Sequence, residues 1–322
     1  PMQIYHERER FAMRREQHAA AKKNKLPLKK LIYRDRHLLV MCIPLVLFFF
    51  VFSYLPMVGM YLAFVNYKPA LGITGSPFVG LENFMKVFRN PFFPRLMRNT
   101  FLIGLYTLLW SFPIPIILAL MLNQLRFHRF KRLTQTVLYA PHFISTMVIC
   151  GMIKIFLSPS GGLINLIAGT SIDFLTESAA FRTIYIASGI WQDAGWGIIV
   201  YMATLSGIDT ALYEAARVDG ASLFQRILHI DIPGLRSIMV LNLIMSAGSL
   251  MNVGFEKVWL LQTDLNKAVS DVISVYVYQK GIESAKYSYS TAVGLFNTVI
   301  NIILLIVVNK MASRISDDTS FI

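Results

Sequence analysis

The sequence predicts an all-α membrane protein with six transmembrane helices. Three observations predict it. First, 55% of the 322 residues are hydrophobic and 15% are charged, with mean hydropathy +0.53, whereas soluble domains carry roughly 25% charge. Second, apolar stretches at 38–66, 99–122, 134–157, 181–206, 235–261 and 287–309 each exceed the about 20 helical residues that cross a bilayer. Third, the basic residues behind the net charge of +13 gather at the ends of these stretches. That distribution argues against a nucleic-acid-binding face.

The chain begins at Pro1 rather than Met, so a few preceding residues are expected to be missing. Residues 1–37 are polar and basic, and the first apolar run exceeds a signal-peptide core, so no cleavable leader is expected. Pro44 and Pro56 in the first span, Pro113 and Pro115 in the second and Pro141 in the third predict kinks, which membrane helices tolerate when neighbours satisfy the freed carbonyls. Cys42 and Cys150 lie within apolar stretches and are expected to be buried thiols, with no disulfide framework. Twenty Lys and Arg fall in the two termini and the loops after spans two and four, against nine in the other three connections. The positive-inside rule then places both termini and the 207–236 loop in the cytoplasm. A basic segment 1–37, a membrane domain 38–312 containing the loop 207–234, and a tail 313–322 follow. In the outside connections, Leu81–Phe88, followed by Asn90-Pro91, and Val272–Tyr278 carry apolar residues at helical spacing. They are expected to lie at the membrane surface or to form a platform for an outside partner.

The loop 214–233 is the most informative stretch. Asp209 or Thr210 can cap a helix over Ala211–Asp219, and Gly220 supplies a left-handed stop. Ser222 and Gln225 have capping-box spacing, opening a second helix with an apolar stripe of Leu223, Phe224, Ile227, Leu228 and Ile230 that ends at Pro233-Gly234. Ala215 and Ala216 keep one face small, and Glu214 and Arg217 offer charges there. From the residues alone, the pair is either a docking element for another protein or an interfacial helix pair on lipid headgroups. The chain has no Gly-x-x-x-x-Gly-Lys-Ser/Thr segment to cradle phosphates.

Glu214-Ala215-Ala216, Gly220, Ile230 and Pro233 resemble the signature loop of permease subunits of binding-protein-dependent ABC importers, with Ile232 where that family usually has Leu. Residues 75–84, 112–123, 139–145, 189–197 and 287–297 are similar to the branch that handles polysaccharides and complex oligosaccharides. The resemblance implies a type I importer fold in the cytoplasmic (inner) membrane with a cytoplasmic coupling helix. It implies that Glu214, Ala215, Ala216, Arg217, Asp219, Gly220 and Pro233 couple to an ATPase. It implies a second homologous permease as heterodimer partner, two ATP-binding cassette subunits that bind ATP and Mg2+, an outside solute-binding protein and a carbohydrate cargo. The chain itself would hold no cofactor or metal and would not be an enzyme. The branch leaves the cargo open between neutral oligosaccharides and an acidic polysaccharide such as alginate.

Polar groups within spans are costly and often functional. Trp191, Gln192 and Asp193 in span four, Asn252 and Glu256 one turn apart in span five with Phe255 between them, and Asn297 and Asn301 in span six combine aromatic faces with planar hydrogen-bonding groups, the two chemistries that hold sugars. Helix–helix hydrogen bonding, worth about 0.6 kcal/mol per pair in membranes, is the competing role. His142 after Pro141 reads as a packing or gating residue, and no His/Cys/Asp cluster has metal-ligand spacing. A membrane-embedded enzyme would need a charged catalytic cluster, and Asp193 and Glu256 stand apart. A channel or scaffold without an ATPase partner is the remaining alternative.

Overall fold

A computed structural model describes residues 33–313, with side chains through Ala312. The basic residues 1–32 and the tail 314–322, and the expectations attached to them, lie outside the described residues. The chain divides into two units, Pro1–Tyr61 and Leu62–Ile322. Most of α1 (Arg36–Phe64) belongs to the first. Pro44 sits in its regular portion, a π-helical turn covers Phe50–Tyr54, and 3-10 geometry runs from Leu55 past Pro56. No residue of Arg36–Phe49 is buried. Cys42 is therefore exposed, contrary to expectation, since this stretch of helix buries none of its side chains; Cys150 is buried.

The second unit contains α2 (Glu82–Phe88), α3 (Phe93–Asn123), α4 (His128–Tyr139), α5 (Thr146–Phe156), α6 (Leu163–Ala168), α7 (Ser178–Ser206), α8 (Thr210–Val218), α9 (Leu223–Gly248), α10 (Phe255–Leu261), α11 (Ile273–Tyr278) and α12 (Tyr287–Ser313). Among the described residues, α1, α3, α9 and α12 are each long and apolar enough to cross a membrane. Two bent pairs bring the count to six.

Two predicted spans are not continuous helices. In the third, α4 and its 3-10 extension to Phe143 meet α5 at 96°. Pro141 lacks an N–H and ends the α-helical ladder there. The fifth was expected at 235–261, but α9 stops at Gly248 and α10 starts at Phe255. Asn252 and Glu256 are therefore not one turn apart on one helix: Asn252 sits in the break and Glu256 on α10.

Three apolar clusters hold the unit. At one end, Val87 of α2, Leu96 of α3, Ile273 and Tyr276 of α11 and Ala292 and Val293 of α12 pack together. In the middle, Ile103, Cys150, Phe181, Val258 and Val275 join α3, α5, α7, α10 and α11. At the other end, Ile116, Ala119, Leu122, Ile198, Leu205 and Leu235 join α3, α7 and α9. The two connections expected at the membrane surface or as an outside platform contribute Val87, Ile273, Val275 and Tyr276 to the first two clusters. Buried amides tie them down: the Asn83 amide donates to the carbonyls of Ala63 (2.9 Å) and Val65 (3.1 Å). Asn99 donates to those of Ala268 and Asp271, and Asn266 to those of Leu175 and Leu261.

Two glycines permit backbone-to-backbone contact between helices. A Cβ on Gly195 of α7 would collide with the Leu138 carbonyl of α4, and one on Gly104 of α3 with the Leu250 carbonyl. Backbone carbonyls cannot rotate aside as side chains do. Gly195→Ala is therefore expected to destabilise the fold by about 1–3 kcal/mol. A thermal melt of the detergent-solubilised protein indistinguishable from wild type would refute this packing.

Candidate functional site

The loop between α7 and α9 is built from strong local stops and starts. The Asp209 carboxylate caps α8 by accepting from the Ala211 N–H at 2.9 Å, and α8 leaves α7 at 73°. Gly220 adopts φ +74°. Its N–H bonds the Arg217 carbonyl (3.1 Å) while that of Ala221 bonds the Ala216 carbonyl (2.8 Å), the Schellman closure that glycine adopts without steric cost. Ser222 and Gln225 complete the capping box in both directions, at 2.7 and 3.3 Å.

Pro233 does not end the second helix, as the sequence reading expected. A π-helical turn over Ile227–Asp231 precedes it, and the Ile232 N–H still reaches the Ile227 carbonyl. The wider turn absorbs the missing donor, so α9 runs unbroken from the loop into the fifth span.

The outer surface of this element is free. Glu214, Ala215, Arg217, Asp219, Gly220 and Pro233 are exposed and Ala216 is half-buried. Val218 is 88% exposed and Phe224 70%, with Leu212 and Leu228 also open. Such an apolar tip ringed by charge is what a docking surface presents.

Its inner surface is anchored by a residue that sequence reasoning missed. Asp231 is fully buried. Its carboxylate accepts from the Tyr213 hydroxyl of α8, from the Gln124 amide at 2.9 Å and from the Asn123 amide at 3.5 Å at the end of α3. Burial first, and the adjoining carboxylate second, push the Tyr213 phenol up to about 12, so it keeps the proton it donates. The only local signal was an acid beside the apolar stripe 227–230. Its partners lie 18, 107 and 108 residues away.

The eight path candidates separate into three groups. On α7, Trp191, Asp193 and Trp196 are exposed. His142 links to Asp193 (Nδ1 to Oδ1, 3.0 Å) and stacks on Trp196 at 4.5 Å. Gln192 instead donates to the Ile144 carbonyl at 3.2 Å, holding the break in the third span. Around the break in the fifth span, the Asn301 amide donates to the Asn252 side-chain oxygen (2.9 Å) and its own oxygen accepts from the Met251 N–H (3.0 Å). Asn297 donates to the Met251 carbonyl and to Asn252, both at 3.4 Å. Phe255 joins Trp259 and Tyr278 in a ring cluster with centroids 4.8–5.8 Å apart, and Glu256 is exposed beside it.

A cavity of about 240 Å³ lies between α3, α7 and the fifth-span break, lined by Thr107, Ser111, Tyr185, Ser246, Ser249 and Asn252 among others. Asn252 is the one path candidate on its wall. Lys257 of α10 is buried, with its ammonium 5.3 Å from the centre of the Tyr185 ring and no hydrogen-bond partner among the described residues. The sequence showed it only as a charge near a span end. The described residues contain no group of three or more His, Cys, Asp or Glu able to hold a metal ion.

Fold and sites together define a polytopic helical membrane protein with an exposed, capped helix pair between two of its spans and a small polar cavity among them. The profile of the family described as "Binding-protein-dependent transport system inner membrane component" matches residues 111–317. The chain is 42% identical over 292 residues to Protein LplB of Bacillus subtilis (strain 168), covering 89% of this chain and 92% of that one. It is 39% identical over 300 residues to the polygalacturonan/rhamnogalacturonan transport system permease protein YteP of the same organism, covering 92% and 93%. A bacterial ABC transporter importing the acidic polysaccharide alginate contains a chain 38% identical, with TM-score 0.82, covering 90% of this chain and 99% of that one. The same transporter has been solved with an alginate-pentasaccharide-bound periplasmic protein, and its matching chain is 37% identical with TM-score 0.82. The chain belongs to this family: it is the inner-membrane permease of a binding-protein-dependent ABC importer, a membrane component and not an enzyme.

Tyr213→Phe removes one of the three donors to Asp231, and Asp231→Ala strands all three. The expected costs are about 1 and 1–3 kcal/mol, with protease cutting within 207–222 accelerated in the same order. Equal cutting rates in wild type and Asp231→Ala would show that the carboxylate does not hold the loop.

Proposed function

We propose that this permease moves oligo- or polysaccharide inward by alternating access, and that α8 and the start of α9 seat on a cytoplasmic ATPase. Glu214 and Arg217 supply the charges of that contact, Ala215 and Ala216 allow close approach, and Asp219-Gly220 sets the bend. Pro233, set beyond the π turn, leaves the bend joined to the span. A capped, Schellman-closed helix pair with Val218 and Phe224 exposed at its tip supports this role. Two ATP-binding cassette subunits bind ATP and Mg2+, consistent with the absence of a phosphate-cradling loop in this chain. A second homologous permease completes the membrane pair, and both termini lie in the cytoplasm.

The cargo reading follows from relatives and chemistry. Of the similar proteins, YteP is named for polygalacturonan/rhamnogalacturonan transport and the solved transporter for alginate import, and a more distant relative, at 28% identity, for arabinooligosaccharide transport. We assign this chain a saccharide cargo, with acidic polymers favoured. Asp193, Trp191 and Trp196 on α7, together with Phe255 and Glu256, offer stacking faces and hydroxyl acceptors along the path. Gln192, Asn297 and Asn301 hold helix breaks, and Asn252 serves both the break and the cavity.

Gly220→Pro demands a φ near −65° where the turn needs +74°. In the reconstituted importer, Gly220→Pro and Glu214→Ala are expected to lower uptake at least tenfold while the ATPases still hydrolyse ATP. Uptake at the wild-type rate in both would remove the coupling role. ATPase stimulation across a panel of neutral and acidic oligosaccharides, presented with the binding protein, tests the cargo. Stimulation by the acidic set is expected, and stimulation by neutral sugars alone would reassign the cargo.

A further inference from the structure

A second concave surface lies away from the path and the coupling loop. It is a cavity of about 730 Å³ between α2, the start of α3, α11 and the start of α12, within the range of ligand pockets. Its walls carry Lys86, Arg89, Lys280 and Lys286, with Tyr67 and Tyr287 among the aromatic groups, and no carboxylate lines it. Lys86 pairs with Glu82 outside the wall at 2.8 Å. Arg89, Lys280 and Lys286 make no ion pair among the described residues, although Lys280 stands 5.6 Å above the Tyr276 ring and feels the Asp271 carboxylate. Asp271 is itself engaged by Arg95 at 3.6 Å.

The cavity is built rather than incidental. Its floor is tied by the Asn90 amide, which donates to the hydroxyls of Tyr276 (2.6 Å) and Tyr289 (2.8 Å). The Tyr67 N–H donates to the Ser288 hydroxyl at 2.9 Å, joining walls 221 residues apart in sequence. Tyr67 and Tyr287 meet edge to face at 5.8 Å. Ala285 is the non-glycine residue with positive φ, +53°, among the described residues. That conformation brings the alanine Cβ close to the following carbonyl oxygen, a crowding that glycine avoids. It is held because the Lys286 N–H closes on the Lys280 carbonyl at 2.8 Å, which fixes the two lysines on one wall. Backbone strain is thus kept in place beside a wall that carries four cations and no carboxylate.

Position adds the last constraint. Counting one crossing each for α3, the α4–α5 pair, α7, α9 and α12, the start of α3 and the start of α12 lie on the face opposite the 207–222 loop. That is the outside face if the loop is cytoplasmic.

We propose that this cavity is a binding site for a short stretch of uronic-acid saccharide on the outer face of the permease, separate from the path between the spans. The cations meet the carboxylates, and the tyrosine faces meet the C–H surfaces of the rings. The site would hold the end of an acidic chain beside the permease while the next sugars move inward. This assignment rests on the saccharide-importer reading above.

The test uses the complete importer in nanodiscs without its binding protein, with fluorescently labelled trigalacturonate as probe and maltotriose as neutral competitor. Wild type is expected to bind the probe, more weakly as salt rises, and maltotriose is expected not to displace it. Lys280→Gln/Lys286→Gln is expected to weaken binding at least tenfold, and Lys280→Arg/Lys286→Arg to retain it. Equal probe binding by wild type and the Gln pair overturns the site, as does displacement by inorganic phosphate at concentrations equal to those needed with unlabelled trigalacturonate. Unchanged probe binding with reduced capture of the binding protein by the Gln pair would instead make the cavity a docking surface for that protein, and also overturns the proposal. ATPase stimulation by binding protein loaded with acidic saccharide is read in parallel on wild type. If that stimulation is present while the site variants change nothing, only this inference fails. If it is absent for every saccharide, the importer reading itself has failed.

Discussion

Backbone that leaves a helix at membrane depth must find its hydrogen bonds inside the protein, because hydrocarbon offers none. Much of this architecture follows from how the chain meets that demand. Two of the predicted spans are interrupted, and at each break a side-chain amide supplies what the helix gave up: Gln192 at the carbonyl of Ile144, Asn301 and Asn297 at Met251. The same device recurs in the connections, where Asn83, Asn99 and Asn266 satisfy carbonyls that no strand or helix reaches. Amides suit this work because each carries donors and an acceptor and bears no charge to desolvate. The fifth-span break in turn borders the space between α3, α7 and α9, and that space is the cavity lined by Asn252.

Asp231 is the exception, a carboxylate with no exposure. A buried charge is tolerable only when its lone pairs are filled, and three donors from two separate elements fill them here. The arrangement makes the loop and the inner end of α3 one body. A push on the exposed face of α8 would pass through that carboxylate to the second span as well as through α9 to the fifth.

The sequence made local features legible and long-range ones opaque. Hydropathy located the crossings, and capping chemistry at Asp209, Gly220 and Ser222 described the loop nearly atom by atom, because such rules act over three to five residues. Pro233 misled: a proline ends a regular α-helix, but the sequence shows no sign of the π turn that lets the helix continue. Asn252 and Glu256 looked like neighbours because a run of apolar residues hides a break when its hydrogen bonds are taken up by Asn301, 49 residues away. Asp231 and the basic cavity between α2, α11 and α12 were invisible for the same reason, since their parts come from segments that periodicity cannot bring together.

The continuity of α9 has a mechanical meaning. From Leu223 to Gly248 it is a single rod of 26 residues, about 39 Å at the standard helical rise. Its foot is bolted to the bend at Gly220, and its far end is released at Ser249, where the chain breaks beside the cavity. Such a rod is a lever: tilting it by about 10° about its foot carries the far end through about 7 Å. A hinge at Pro233 would have lost that displacement at the membrane surface. The widened turn at 227–231 keeps the helix continuous through Pro233, so a tilt at the foot would reach the point where the helix lets go.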